Sequence, residues 1–215
     1  MLDFIRIACA VPAVRVGDTA KNAEDICAYI EKADAERADI VLFPELALTG
    51  YTCQDLFFQD TLWTGVQQGI RKIADCTKDH PGVTAAVGLP VRTGMRLYNC
   101  AAVISRGKIH ALVPKTYIPN YNEFYEKRWF SSGAEVTEDM AELLGEPVPI
   151  LPRAVFRVGG TLLGVEICED MWTPLPPSTF LALNGAEVIL NLSASNETIG
   201  KRVYRRVWCS TSPPR

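Results

Sequence analysis

The stretch Thr161-Leu-Leu-Gly-Val-Glu-Ile-Cys168 is an apolar run that ends on a thiol, and the polar pair Glu169-Asp170 follows it directly. A short apolar run with a polar boundary predicts a buried strand followed by a sharp turn. Such a strand would deliver the thiol of Cys168 to its carboxyl end. Taken alone, Cys168 is more often a small buried hydrophobe than a nucleophile.

Two other apolar runs end on a charged residue in a similar way. Ala38–Phe43 leads through a proline to Glu45, and Lys108–Val113 leads through a proline to Lys115. Alone, Glu45 could cap a helix and Lys115 could be a solvated strand end. Because the active sites of open sheets gather at the carboxyl ends of strands, the three endings together favour a shared site.

Hydrolysis of an amide needs the groups that these three endings supply. A cysteine thiol titrates near pH ~8.5 and is mostly protonated at neutrality, so it needs a base when it attacks. A carboxylate can take that proton, and a lysine beside it offsets the carboxylate charge and faces the developing oxyanion. The sequence therefore predicts a cysteine amidase that uses Glu45, Lys115 and Cys168.

The composition of the 215 residues argues against several other classes of protein. A hydrophobic content of 48% is enough for one domain with a real core. The net charge of −3 gives no general reason to expect nucleic-acid binding, and no apolar stretch is long enough to span a membrane. Seven scattered cysteines and two histidines predict a reducing, cytoplasmic setting without disulfides or a zinc site. The N-terminus lacks the pattern of a signal peptide.

Hydrophobic periodicity predicts an α/β fold with mixed sheets. Helices are predicted at 18–37, from about 60 to 80, at 178–184 and after Gly200. Strands are predicted near 5–9, 41–43, 83–88, 97–105, 108–113, 155–158, 161–167 and 187–192. The mixture of hairpins with β-α-β units predicts one mixed sheet or two, with helices on an outer face. Residues 116–152 are predicted to form a long functional loop.

Three segments around the candidate residues resemble the signatures of the nitrilase, or carbon–nitrogen hydrolase, superfamily. They are Val-Leu-Phe-Pro-Glu45-Leu-Ala-Leu-Thr-Gly-Tyr51, Val-Pro-Lys115 and Gly-Val-Glu-Ile-Cys168-Glu-Asp170. The resemblance implies that Glu45 is the general base and then the general acid, Lys115 the electrostatic stabiliser and Cys168 the nucleophile. It also implies that the backbone N–H of Glu169 is a second oxyanion donor. The implied fold is a four-layer αββα sandwich, and two such domains usually pack together, so a homo-oligomer is expected.

Further segments narrow the resemblance to the N-terminal glutaminase domain of glutamine-dependent NAD synthetases. They are 48–57, the loop 115–130 and 191–201, and the likeness extends over about residues 4–206. It implies that Tyr121 contacts glutamine and that Glu126 is a second carboxylate, which holds Lys115. Ser195 and Lys201 are implied to bind the amino-acid end of glutamine, where a cation suits the α-carboxylate. The resemblance implies no metal or cofactor for this domain.

In that family a second domain uses ATP and Mg to complete NAD and receives the ammonia, and no phosphate loop of such a domain occurs here. The expected partners are therefore glutamine and an ammonia-accepting synthetase domain outside residues 1–215. Residues 207–215 read Val-Trp-Cys-Ser-Thr-Ser-Pro-Pro-Arg, and Ser212-Pro213-Pro214 cannot extend a helix. We expect a glutaminase domain that is incomplete at its C-terminus, with a reading frame lost near residue 207. Sequencing of the gene through this region tests that expectation.

Two other functions remain open from the sequence. A free-standing nitrilase-type amidase would act on another small amide. Tyr121, Ser195 and Lys201 discriminate between the two enzymes, because an amide that is not an amino acid has no use for the cation. An inactive truncated domain would serve only as an interaction module, and the presence of all three candidate catalytic residues argues against it.

Overall fold

The computed structural model describes residues 4–211, which form four α-helices and twelve strands. The helices are α1 (Thr19–Ala35), α2 (Asp60–Asp79), α3 (Pro177–Leu183) and α4 (Lys201–Thr211). The strands are β1 (Ile7–Cys9), β2 (Ile40–Leu42), β3 (Thr84–Thr93), β4 (Arg96–Ser105), β5 (Lys108–Pro114), β6 (Asn120–Tyr121), β7 (Phe124–Tyr125), β8 (Met140–Leu143), β9 (Glu146–Pro149), β10 (Val155–Val158), β11 (Thr161–Ile167) and β12 (Val188–Leu192). None of the helices within residues 4–211 has the length and apolar character needed to cross a membrane.

Two mixed sheets form the centre of the molecule. The larger sheet has the order β1-β2-β3-β4-β5, in which β1, β2 and β3 pair in parallel and β4 pairs antiparallel with both β3 and β5. The smaller sheet has the order β10-β11-β12, with an antiparallel hairpin followed by a parallel pair. β2 and β5 of the larger sheet and β11 of the smaller sheet therefore end in the segments that carry the three candidate residues.

The sheets pack face to face between layers of helix. One face of the larger sheet packs against α1 and α2, whose buried residues include Ile26, Ile30, Val66 and Ile70. Its other face meets the smaller sheet through apolar residues of both, among them Ala86, Val103, Val113, Leu163, Val165 and Leu190. Gly164 lies on the outer face of β11, where any side chain would collide with Leu181 of α3. The predicted four-layer αββα sandwich is thereby confirmed.

Most predicted elements are found, with small shifts of their ends. Asp18 caps α1 as predicted, because its carboxylate accepts a hydrogen bond from the backbone N–H of Lys21 at 3.0 Å. Residues 116–152 differ from the prediction of a plain loop, since they contain the hairpins β6–β7 and β8–β9. The predicted helix after Gly200 is α4, and its predicted stop at Ser212-Pro213-Pro214 lies outside the described residues.

Candidate active site

The structure brings together the residues that follow β2, β5 and β11. Lys115 comes directly after β5, and its Nζ lies 2.6 Å from Oε1 of Glu45. Cys168 comes directly after β11. The backbone N–H of Ala194 donates to Oε2 of Glu45 at 3.1 Å, and the charges of Glu45 and Lys115 both act on the pKa of the Cys168 thiol. The ends of three strands from two sheets therefore share one small volume.

Two carboxylates hold the Lys115 ammonium out of water. Nζ donates to Glu45 and also to Oε1 and Oε2 of Glu126, at 2.8 and 2.9 Å. All three side chains are at most 2% exposed. Burial alone lowers the pKa of Lys115, but the charges of Glu45 and Glu126 outweigh it and raise that pKa above its usual value. The lysine therefore remains a cation at neutral pH.

The Glu126 carboxylate is held from the opposite side by a phenol. The hydroxyl of Tyr51 donates to Oε1 of Glu126 at 2.7 Å. Burial and the nearby charge of Glu45 raise the pKa of Glu126, while Lys115 and the hydrogen bond from Tyr51 lower it in part. Asn99 supports the other carboxylate, since its side-chain N–H donates to Oε1 of Glu45 at 2.8 Å. Each carboxylate thus has a fixed orientation.

Cys168 opens a sharp turn in a backbone conformation that non-glycine residues rarely adopt. Its φ is +46°, in the left-handed region, and a single turn of 3-10 helix follows over Cys168–Trp172. Such strain often marks functional positions. Burial raises the pKa of the Cys168 thiol to about 12, with Glu45 adding to the rise and Lys115 opposing it. The thiol is therefore protonated at neutral pH and needs a base before it can attack.

Two glycines allow the strand ends to approach each other closely. A Cβ at Gly88 would lie 2.3 Å from the backbone nitrogen of Leu46 and 2.5 Å from the carbonyl oxygen of Pro44, on either side of Glu45. A Cβ at Gly133 would lie 2.8 Å from the carbonyl oxygen of Lys115. The backbone beside Glu45 and that of Lys115 therefore each pack directly against a glycine.

A cavity of about 190 Å³ opens beside the Cys168 thiol. Its lining residues are Pro119, Tyr121, Phe124, Glu126, Cys168, Glu169, Trp172, Ser195, Lys201 and Tyr204. The hydroxyl of Tyr121 donates to the Glu169 carboxylate at 2.8 Å, and Nζ of Lys201 donates to Oγ of Ser195 at 2.6 Å. The structure therefore brings the four predicted substrate-binding residues to the same cavity as the predicted nucleophile.

Sequence reasoning did not single out Tyr51, Asn99 or Ala194. Asn99 carried a usable signal, because it is a polar side chain in the fully buried middle of β4. The hydroxyl of Tyr51 meets Glu126 across 75 positions of sequence, and Ala194 contributes a backbone group, so no local pattern marks either.

The arrangement is suited to acyl transfer by a thiol. It combines a protonated nucleophile, a carboxylate within its immediate surroundings and a cation that faces the same volume. Within residues 4–211, no cluster of three or more His, Cys, Asp or Glu side chains could hold a metal ion.

Comparison with known proteins places these features in a family. Residues 6–213 match the carbon–nitrogen hydrolase family. The glutamine-dependent NAD(+) synthetase of Mycobacterium tuberculosis (strain ATCC 25618 / H37Rv) is 36% identical over 215 residues, which are 99% of this chain and 31% of that protein. That of Xylella fastidiosa (strain 9a5c) is 38% identical over 206 residues, covering 95% of this chain and 34% of that protein. The chain therefore spans about one third of the length of these relatives.

Solved structures agree with the sequence matches. The glutamine-dependent NAD(+) synthetase of Cytophaga hutchinsonii superimposes with a TM-score of 0.80 at 28% identity, over 95% of this chain and 33% of that chain. An amidase of the nitrilase superfamily from Nesterenkonia AN1 has a TM-score of 0.74 at 20% identity, over 92% of this chain and 68% of that chain, which supports the fold alone. The resemblance predicted from the sequence is confirmed, and the chain belongs to the carbon–nitrogen hydrolase family.

Proposed function

We propose that this chain hydrolyses the side-chain amide of glutamine, as the glutaminase portion of a glutamine-dependent NAD synthetase. The ammonia would pass to a synthetase domain that these 215 residues do not include. The observation that carries the proposal is the buried Lys115 ammonium between two carboxylates, beside a strained Cys168 and a cavity that contains a second cation, Lys201. The names of the two curated relatives described above point to the same activity.

In the first half of the proposed reaction, the Cys168 sulfur attacks the amide carbon of glutamine and Glu45 takes the thiol proton. A base is required because the pKa of the thiol is raised to about 12. The Lys115 ammonium and the backbone N–H of Glu169 stabilise the oxyanion that forms. One well-placed oxyanion donor contributes on the order of 3–4 kcal/mol. Lys115 cannot be the base, because its own pKa is raised and it keeps its proton.

In the second half, the C–N bond breaks and Glu45 gives its proton to the departing nitrogen. Ammonia leaves, and a γ-glutamyl thioester remains on Cys168. Water then attacks the thioester carbon while Glu45 takes a proton from the water. The C–S bond breaks, the proton returns to the sulfur, and glutamate is released. One carboxylate thus serves alternately as base and acid.

The remaining predicted residues would bind substrate or hold the catalytic groups. The ammonium of Lys201 donates a hydrogen bond to Ser195 and would bind the α-carboxylate of glutamine by a charge-assisted hydrogen bond. Tyr121 and Glu169 are joined by a hydrogen bond at the wall of the cavity and would contact the rest of the substrate. Glu126 would keep Lys115 charged and in place.

Labelling of the full chain with a diazoketone analogue of glutamine tests the proposal. We expect the intact mass to show one adduct, peptide mapping to place it on Cys168, and excess glutamine to prevent it. Cys9 and Cys209 are the internal controls, because both are exposed and a merely reactive compound would label them first. Cys168→Ala should take up no label, whereas Cys9→Ala should be labelled like the natural chain.

Three results would contradict the proposal. Label spread over several cysteines, or no label on Cys168, would mean that the chain has no site for glutamine. Protection by propionamide as strong as protection by glutamine would indicate a free-standing amidase for small amides. Full hydrolytic activity in Cys168→Ala would exclude the thioester.

A further inference from the structure

Asp170 is a buried carboxylate in the turn after Cys168, and it does not line the cavity. Only 1% of the Asp170 residue is exposed to solvent. Oδ1 accepts hydrogen bonds from the backbone N–H groups of Thr116, at 3.1 Å, and Tyr117, at 2.8 Å. Oδ2 accepts one from the backbone N–H of Ile167 at 3.0 Å. Its partners are thus the two residues that follow Lys115 and the residue that precedes Cys168.

These contacts join the two sheets beside the candidate catalytic residues Lys115 and Cys168. Lys115 follows β5 of the larger sheet, and Cys168 follows β11 of the smaller sheet, so no strand ladder fixes the distance between them. Apolar packing holds the sheets together but is not directional. The carboxylate of Asp170 spans the gap with three directional bonds.

We propose that Asp170 is a positioning residue, whose carboxylate sets the distance between the Lys115 ammonium and the Cys168 thiol across the two sheets. The proposal deepens the proposed function and rests on it. It assigns Asp170 no contact with substrate. Its effect should therefore appear in the rate of the chemical step and leave the binding of substrate unchanged.

A carboxylate suits this position better than a neutral side chain of the same shape. Three N–H donors converge on it, and above about pH 7, where it is ionised, the Asp170 carboxylate offers only acceptors. An asparagine would turn its own N–H₂ group toward one of these donors, which would separate the two segments. A displacement of 1 Å in a catalytic group can lower a rate by about 10²-fold. Asp170→Asn is therefore a sharp test, because it removes the bridge while it preserves the volume.

Glu166, on β11, provides a matched control. It is also a buried carboxylate, and it accepts a hydrogen bond from the backbone N–H of Ser178 at 3.0 Å. That bond ties β11 to α3, and Oε1 accepts a second one from the side-chain N–H of Asn191 at 3.3 Å. Neither bond reaches the segment that follows Lys115. Glu166→Gln therefore makes the same chemical change two positions before Cys168, without breaking the bridge to Lys115.

The test measures two rates in the full chain. One is kcat for glutamine hydrolysis. The other is the rate at which acrylamide adds to Cys168, followed by intact mass. This addition needs the thiolate of Cys168, which the Lys115 charge favours, but it needs no glutamine site. In Asp170→Asn we expect both rates to fall by ~10- to 100-fold with KM for glutamine unchanged. In Glu166→Gln we expect both rates to remain close to those of the natural chain.

The outcomes separate this proposal from the proposed function. If the natural chain adds acrylamide at Cys168 but does not hydrolyse glutamine, the glutaminase proposal fails and the Asp170 effect is still read from the addition rate. Equal losses in Asp170→Asn and Glu166→Gln, or a change in KM alone, would overturn the positioning role. Should Asp170→Asn not fold by circular dichroism, Asp170→Glu replaces it, because it keeps the charge and displaces the bridge. A natural rate of acrylamide addition in a folded Asp170→Glu would likewise overturn the proposal.

Discussion

The ammonium nitrogen of Lys115 lies 2.6 Å from Oε1 of Glu45, and neither side chain is exposed to solvent. Removal of two charges from water costs several kcal/mol for each, and close contact with a partner offsets that cost. Glu126 supplies a further carboxylate on the same ammonium. The contact between Lys115 and Glu45 therefore fixes the orientation of a carboxylate that would otherwise be costly to bury beside a thiol.

Replacement of Glu45 by glutamine should remove most of the activity while the fold remains. The amide oxygen can still accept from Lys115 and from Asn99, but the side chain can no longer take a proton. A positioned general base contributes ~10²- to 10⁴-fold, so we expect kcat for ammonia release to fall by that factor. Asp55→Asn is the control, since Asp55 is an exposed carboxylate paired with Arg128. Equal activity of Glu45→Gln and Asp55→Asn would exclude Glu45 as the base.

Replacement of Lys201 by methionine should weaken the binding of glutamine and spare the reaction of simple amides. The ammonium of Lys201 lines the cavity, and a hydrogen bond to a charged group contributes ~1.5–3 kcal/mol. We therefore expect KM for glutamine to rise by ~10- to 100-fold, measured by ammonia release, with little change in the hydrolysis of propionamide. Arg202→Met is the matched control, because Arg202 is the exposed next residue of α4. A similar KM in both variants would remove Lys201 from the substrate site.

Replacement of Tyr51 by phenylalanine should move the acid limb of activity to higher pH. The Tyr51 hydroxyl lowers the pKa of Glu126 by donating to its carboxylate. Loss of that bond raises the pKa, so Glu126 takes up a proton at a higher pH and Lys115 loses part of its compensation. The acid limb of the kcat profile of Tyr51→Phe should therefore lie at a higher pH than that of the natural chain. Tyr29→Phe, which removes a hydroxyl on α1, should leave the profile unchanged. An unshifted profile in Tyr51→Phe would contradict the assigned contact.

The positions of the three predicted catalytic residues follow from local sequence, because each stands at the boundary of an apolar run and strand ends of this kind meet in space. The supporting contacts do not follow from local sequence. Asn99 reaches Glu45 across 54 positions within the larger sheet, and Asp170 reaches Thr116 across 54 positions between the two sheets. Both contacts therefore depend on the tertiary fold. A short-range pattern cannot report such a distance.

The hairpin β8–β9 was missed for a related reason. Its turn is Leu144-Gly145, and both residues have positive φ, which usually calls for Asn-Gly or Asp-Gly. The unfavourable leucine is held by α2: its N–H donates to the side chain of Gln67 at 2.7 Å, and its carbonyl accepts from Arg71 at 3.1 Å. Tertiary contacts therefore stabilise a turn that the sequence alone argues against.

Replacement of Gly88 by alanine should destabilise the fold and the site together. The new Cβ would lie within 2.5 Å of backbone atoms of Pro44 and Leu46, and backbone cannot yield as a flexible side chain can. Overpacking in a core costs ~1–3 kcal/mol, and we expect the upper end of that range in urea denaturation, with a loss of kcat. Gly82→Ala is the control, because its nearest neighbour, a side-chain oxygen of Asp34, lies at an ordinary 3.5 Å. Equal stability of the two variants would show that Glu45 does not depend on this close approach.

The stability of the chain should depend on pH through Asp170, with a sign that distinguishes it from an ordinary surface carboxylate. Burial raises the pKa of Asp170 from 3.8 to about 7, although the three backbone N–H groups lower it in part and Glu166 raises it further. The charged groups on the segments around it are Lys115 after β5, Glu166 on β11 and Glu169 in the same turn. Between these two pKa values, the folded state binds the proton more tightly than the unfolded chain does. The stabilisation from this group is therefore complete below about pH 4 and is lost as the pH rises through 7.

Urea denaturation of the natural chain and of Asp170→Asn at pH 5 and pH 8 checks this sign. Because asparagine does not titrate, the difference between the two chains isolates the contribution of the carboxyl group. Between pH 5 and pH 8 we expect the natural chain to lose about 3 kcal/mol more unfolding free energy than Asp170→Asn does. Equal losses would mean that Asp170 has an unperturbed carboxyl group. A larger loss in the natural chain would mean that the ionised Asp170 carboxylate destabilises the fold above pH 7. The chain would then keep a costly buried charge where the segments of Lys115 and Cys168 are joined, as expected where function opposes stability.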